Sequence, residues 1–145
     1  NDNVKLAKEI DADGVHLGQD DLDIKAAREY LGADKIIGVS AHNVKEALEA
    51  ENGGADYLGS GAAFVTSTKT DAGAIDHKVL SDVAHSVKIP VVAIGGINKD
   101  NISQLEGLGL DGVAVVSAIF AADDISSAVI DLKAKAEKVA ESSSK

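Results

Sequence analysis

Apolar residues along this chain follow two alternating rhythms. Gly14–Leu17, Lys35–Val39, Tyr57–Gly59, Val91–Ile94 and Gly112–Val116 are short runs, nearly continuous in apolar side chains and rich in β-branched residues. That is the pattern of parallel strands buried on both faces. Between the runs, apolar positions recur at helical spacing. Val4–Ile10 is a leading helix. Asp23–Leu31 places Ile24, Ala27 and Leu31 on one side and stops at Gly32, a helix-ending residue. Val44–Asn52 follows Asn43, a good N-cap, with Glu46 three residues on, as in a capping box. Lys78–Val87 aligns Val79, Val83 and Val87. Asp100–Glu106 stops at Gly107. Asp124–Ala140 carries Ile125, Ala128, Val129, Leu132, Ala136 and Val139 on one stripe.

An internal echo marks the repeats. Ala12-Asp13-Gly14-Val15, Ala55-Asp56-Tyr57-Leu58 and Leu110-Asp111-Gly112-Val113 each lead from a helix end into a strand. The aspartate of each reads as a turn residue rather than a catalyst. Regular strand–helix alternation predicts an α/β fold with a parallel sheet. The pattern alone leaves two architectures open. One is a five-stranded open sheet of the flavodoxin type. The other is a TIM-type (β/α)8 barrel truncated to about five strands, a partial barrel.

Size and charge narrow the function classes. At 145 residues, one domain is expected over residues 1–141, with 142–145 as a disordered tail. No run of about 18 apolar residues is present, so no membrane span is expected. The opening Asn1-Asp2-Asn3 does not read as a signal peptide, and it lacks an initiating Met. The chain has no cysteine, which removes disulfides and thiolate chemistry and suits a cytoplasmic protein. A formal net charge of −10 opposes nucleic-acid binding. An acidic protein that binds anions needs local devices: backbone N–H groups, a few lysines or a metal ion.

In both architectures ligands bind beyond the carboxyl ends of the strands. Gly95-Gly96 lets backbone approach a ligand closely, and Ser117 adds a hydroxyl just before a helical turn. Together they read as a phosphate pocket. The loop from Gly59 to Asp71 offers Thr66, Ser67, Thr68 and Lys69 in sequence, four donors suited to a pyrophosphate. Asp2, Asp20 and Asp21 also fall at strand ends. Carboxylates beside phosphates suit Mg²⁺, although an Asp-Asp pair before a helix is more often an N-cap cluster. His16 could face the core or the pocket. His42 is a possible acid/base at a strand end, and His77 and His85 read as surface residues.

Five motifs in register resemble the thiamine-phosphate synthase family. They are Gly14-Val15-His16-Leu17-Gly18-Gln19-Asp20-Asp21, Gly38-Val39-Ser40-Ala41-His42, Thr66-Ser67-Thr68-Lys69-Thr70-Asp71-Ala72, Val92-Ala93-Ile94-Gly95-Gly96-Ile97 and Val113-Ala114-Val115-Val116-Ser117-Ala118-Ile119. The resemblance implies the barrel, and it implies transfer of hydroxymethylpyrimidine from its diphosphate to thiazole phosphate with Mg²⁺. Carried over by motif, it implies Asp2 and Asp21 as metal ligands and Asn1 against the pyrimidine. Ser40 and Lys69 become the catalytic pair that holds pyrophosphate, and Thr66 and Thr68 lie near the thiazole phosphate. Gly96, Val116 and Ser117 complete that site. Phosphorylated small molecules are the implied partners.

Two departures stand out. The family's Gly-Pro-x-Phe-Pro-Thr loop reads Gly61-Ala62-Ala63-Phe64-Val65-Thr66 here, and the family's Gln-x-Arg-Glu-Lys motif, in its first strands, is not in this chain. A barrel without those strands has open edges through which copies could self-associate. The rivals are a thiazole tautomerase relying on His42, and a non-catalytic, self-associating partial barrel.

Overall fold

The computed structural model describes residues 1–65 and 75–143. Five parallel strands, β1 (Gly14–Leu17), β2 (Ile36–Ser40), β3 (Tyr57–Gly61), β4 (Val91–Ile94) and β5 (Gly112–Ala114), form one sheet in the order β1-β2-β3-β4-β5. That order decides between the two architectures. A flavodoxin-type sheet reverses direction after its first strand and carries helices on both faces. A strictly sequential order with crossovers of one hand places every helix on the same side, as in a barrel wall.

The helices are α1 (Val4–Glu9), α2 (Ile24–Leu31), α3 (Val44–Gly53), α4 (His77–Ser86), α5 (Ser117–Phe120) and α6 (Ile125–Glu141). Asn3, Asp23, Asn43, Asp76 and Asp124 cap α1, α2, α3, α4 and α6, each side chain accepting a backbone N–H of the first turn. Each such cap stabilises its helix by about 1 kcal/mol. The helix expected over 100–106 is a single 3₁₀ turn, Ile102–Leu105. Its two buried residues, Ile102 and Leu105, sit three apart and eclipse one another, so one tight turn buries both. β5 ends at Ala114, two residues before the expected limit, because Val116 already opens the α5 turn. Ser142 hydrogen-bonds both Val139 and the N–H of Gly107. Among the described residues no helix is long and apolar enough to cross a membrane.

Alternation along the strands sorts their residues. Leu17, Ile37, Leu58, Val91 and Ala93 point to the helices and are fully or almost fully buried. They meet Ala27, Ala47, Leu80, Val83, Leu105, Leu132 and Val139 in one core. Each fully buried leucine or isoleucine contributes roughly 1.5–3 kcal/mol. The other face carries His16 opposite Gly38, Gly38 opposite Tyr57, and Ser40 opposite Gly59. Its row continues through Val92 and Gly112. No helix covers this inner face among the described residues, and Ile36 and Ile94 on it remain 51% and 42% exposed.

At the amino ends of the strands the repeated aspartates act as expected of turn residues. Asp56 accepts the backbone N–H of Ile37 at 2.7 Å, and Asp111 accepts that of Val91 at 2.8 Å. Arg28 braces the first of these. It donates to Asp56 at 2.6 Å and to the carbonyls of Gly32, Lys35 and Gly54.

Candidate functional site at the carboxyl ends of the strands

The register brings β1, β2 and β3 together around His16, which lies on the inner face. Its Nε2 is 2.9 Å from Ser40 Oγ, and its Nδ1 is 2.9 Å from Tyr57 Oη. Glycine makes the space. A Cβ at Gly38 would overlap the Tyr57 ring, and one at Gly59 would crowd His16. Burial pushes the His16 imidazole below its ordinary pKa. The carboxylates of Asp2 and Asp21 pull it upward. Burial likewise raises the Tyr57 phenol, which stays protonated.

The loop after β1 folds over the same place. Gly18 N–H donates to Asp21 Oδ2 at 2.6 Å, and Asp21 N–H returns to the Gly18 carbonyl at 3.3 Å. One oxygen of Asp21 is therefore committed to the turn. Gln19 Nε2 donates to the Ser40 carbonyl at 2.5 Å, tying this loop to the end of β2. Asp2 donates its N–H to the His16 carbonyl at 2.9 Å, and its φ of 66° turns the chain sharply there. Asn1 and Asp2 are exposed. Asp2 and Asp21 thus flank His16. Among the described residues no three potential metal-ligating side chains gather at one point. Two carboxylates with a phosphate and waters still satisfy the coordination chemistry of Mg²⁺.

The second half of the site follows β4 and β5. Gly95 and Gly96 have φ of 98° and 66°, a left-handed geometry that other residues adopt only with strain. The space above them is taken by protein: a Cβ on Gly96 would lie 2.7 Å from the Phe64 carbonyl oxygen. Ala63 and Phe64 donate their N–H groups to the carbonyls of Ile94 and Gly95. The two glycines therefore also seat the loop that leaves β3. Asn101 Nδ2 holds the Gly96 carbonyl at 2.9 Å. Val116 and Ser117 are exposed at the start of α5. No hydrogen bond among the described residues joins these positions to the His16 group. A hollow of about 560 Å³ touches Ser117, yet Asp100, Asp123, Asp124 and Asp131 line it, and that charge repels phosphate. Thr66, Thr68 and Lys69 lie outside the described residues.

His42 pairs with Glu46. Its N–H donates to Glu46 Oε2 at 2.8 Å, its Nδ1 is 3.0 Å from the same oxygen, and Asn43 Nδ2 donates to Glu46 Oε1. The cluster caps α3. His77, expected on the surface, is half-buried and packs edge-to-face on Phe64 at 5.1 Å, its Nε2 reaching the Ala63 carbonyl at 3.3 Å. Sequence reasoning missed Tyr57 and Gln19. The available signal was the glycine at 38, which leaves an empty place beside a strand that carries a tyrosine.

Sequential parallel strands with every helix on one side define the wall of a (β/α) barrel. The chain belongs to the thiamine monophosphate synthase family, whose pattern matches residues 1–119. It is 54% identical over 125 residues to thiamine-phosphate synthase of Clostridium acetobutylicum, covering 86% of this chain and 59% of that protein. It is 50% identical over 133 residues to the Clostridium beijerinckii enzyme, covering 92% and 64%. The thiamine phosphate pyrophosphorylase structure from Pyrococcus furiosus superposes with a TM-score of 0.84 at 48% identity, over 95% of this chain and 66% of that one. The chain thus spans roughly three fifths to two thirds of the length of these relatives. The Clostridium perfringens N-acetylmannosamine-6-phosphate 2-epimerase, at 22% identity and a TM-score of 0.64, shares the fold.

Proposed function

We propose that this chain supplies the carboxyl-end site of a thiamine-phosphate synthase. The reaction joins the pyrimidine of a hydroxymethylpyrimidine diphosphate to the nitrogen of thiazole phosphate and releases pyrophosphate. The observation that carries the reading is the meeting of β1, β2 and β3 at His16, Ser40 and Tyr57, with Asp2 and Asp21 alongside, in a chain about half identical to named synthases.

In this reading Ser40 and Lys69 hold the pyrophosphate. Asn1 meets the pyrimidine. Thr66, Thr68, Val116 and Ser117 receive the thiazole phosphate, and Gly96 shapes the loop beneath it. Asp2 and the free oxygen of Asp21 would hold Mg²⁺, which when bound neutralises charge on the leaving pyrophosphate. The protein's share is to place the thiazole nitrogen in line with the pyrimidine methylene and to hold the departing phosphates. The step needs no protein nucleophile. A tautomerase relying on His42 is disfavoured by the identity of about one half to named thiamine-phosphate synthases.

Isothermal titration of thiazole phosphate, with and without Mg²⁺ and pyrophosphate, tests the reading. Saturable binding is expected, strengthened by Mg²⁺-pyrophosphate and weakened about tenfold or more by Ser117→Ala, which removes a hydrogen bond to a charged group. Gly96→Val is a poor probe, since it strains the backbone and displaces Phe64. A folded chain that binds neither thiazole phosphate nor pyrophosphate overturns the proposal.

A further inference from the structure

The series Tyr57–His16–Ser40 contains two members that the proposed reaction leaves without a role. Its hydrogen bonds can be assigned a direction. A phenol O–H inside a protein needs an acceptor. Among the described residues, the partner of Tyr57 Oη is His16 Nδ1, at 2.9 Å. When the half-buried Tyr57 phenol donates along this contact, Nδ1 is the acceptor. A neutral imidazole that accepts at one nitrogen carries its proton on the other. Nε2–H then donates to Ser40 Oγ, 2.9 Å away.

The direction matters at the last atom. With Nε2 as donor, Ser40 Oγ receives a hydrogen bond and keeps its own O–H. In the opposite tautomer Ser40 would spend that proton on Nε2 and turn only lone pairs outward. A phosphate oxygen accepts and cannot donate, so only the first arrangement greets it with a proton. A hydroxyl that already accepts a bond is also polarised into a better donor.

We propose that His16 is a positioning residue. Tyr57 fixes it in the Nε2–H tautomer, and Nε2–H holds Ser40 Oγ so that the serine O–H points at a phosphate oxygen beyond the end of β2. The proposal rests on the reading of Ser40 as a pyrophosphate ligand. Three features show that the arrangement is built in. Gly38 leaves room for the Tyr57 ring, Gly59 leaves room for His16, and Gln19 fixes the Ser40 carbonyl at 2.5 Å.

Long-range proton–nitrogen correlation on ¹⁵N-histidine protein reads the tautomer directly. His16 is expected as Nε2–H, and Tyr57→Phe is expected to leave a mixture of tautomers. Titration with Mg²⁺-pyrophosphate supplies the second arm. Ser40→Ala is expected to weaken binding about tenfold or more, and His16→Leu by nearly as much, as for loss of a hydrogen bond to a charged ligand. The His16→Leu, Ser40→Ala double variant is expected to be no worse than Ser40→Ala alone. His16→Gln, whose amide nitrogen reaches the place of Nε2, is expected to restore most of the affinity. A dominant Nδ1–H tautomer overturns the proposal. So does His16→Gln binding as poorly as His16→Leu. In either case a weakened Ser40→Ala leaves the pyrophosphate reading standing. Wild-type affinity in Ser40→Ala overturns that reading, and the proposal with it. Should His16→Leu fail to fold, His16→Gln and the tautomer decide.

Discussion

The two ends of the same sheet use the same kinds of polar residue in opposite ways. At the amino ends, Asp56 and Asp111 give their carboxylates to the first N–H of the neighbouring strand, and Arg28 distributes its donors among three carbonyls and Asp56. Polarity there closes the backbone on itself. At the carboxyl ends, Ser117 stands exposed at the start of α5, and the Ser40 hydroxyl meets the His16 imidazole, its side-chain partner among the described residues. A carboxylate that satisfies backbone stabilises the fold, whereas a group left facing the opening can serve a ligand. Barrels separate stability and function along the strand axis in this way.

The largest effect that sharpens this contrast comes from the amino end. Asp56→Ala leaves the partly buried Ile37 N–H without its carboxylate and removes the ionic partner of Arg28. A loss of about 2 kcal/mol is expected, because a partly buried donor goes unsatisfied. The contact with Arg28 is half-exposed and adds little. Urea unfolding measures the loss, and pyrophosphate affinity of the remaining folded protein should be unchanged. If affinity falls as far as stability does, the two ends are coupled and the contrast fails.

A smaller effect lies between the two ends. Ser60 sits in β3 on the helix-facing side, fully buried, and its Oγ has no hydrogen-bond partner among the described residues. Every neighbouring helix-facing position on β2, β3 and β4 is aliphatic. Ser60→Ala should therefore stabilise the protein by up to about 1 kcal/mol, the cost of burying an unpaired hydroxyl. Destabilisation of that size in thermal unfolding would show that the hydroxyl is satisfied in solution and that polarity in this sheet extends beyond the strand ends.

Much of this contrast was legible from the residues alone. The Ala-Asp-Gly type echoes marked the amino ends as turns, and the glycines and hydroxyls marked the carboxyl ends as the ligand side. The rest depended on register, which one sequence does not reveal. Alternation gave His16 two faces to choose from, and only its pairing opposite Gly38 and Tyr57 selects the inner one. Gly59 looked like the end of a strand. It is interior to β3, because glycine there makes way for a histidine from two strands away. Gly95-Gly96 also seats Phe64, a packing role that spacing along the chain does not show. Around 102–105, two glycines with positive φ, Gly107 and Gly109, follow closely, so the helical spacing of Ile102 and Leu105 describes a single turn.

The subtlest test concerns a carboxylate at the functional end that, like Asp21, behaves as those at the other end do. Glu46, in the first turn of α3, accepts bonds from the backbone and ring of His42 and from Asn43. Partial burial pushes its carboxyl upward, but those bonds together outweigh burial and hold it below its ordinary value of 4.5. Because the folded value is the lower one, the unfolded chain binds the proton first as pH falls. Between the two values the unfolded state carries more protons, so stability rises with pH. The Glu46 contribution is therefore complete above about pH 4.5 and is lost as pH falls through the folded value. Glu46→Gln removes the titration. Its stability is expected to run parallel to the wild type above that point and to fall less steeply below it, with a difference under about 1 kcal/mol, the scale of one cap. Denaturant melts between about pH 3 and 6 bracket this window. Curves that stay parallel throughout would mean that Glu46 is not held ionised by its neighbours, and that capping at the carboxyl ends does not borrow the device used at the amino ends.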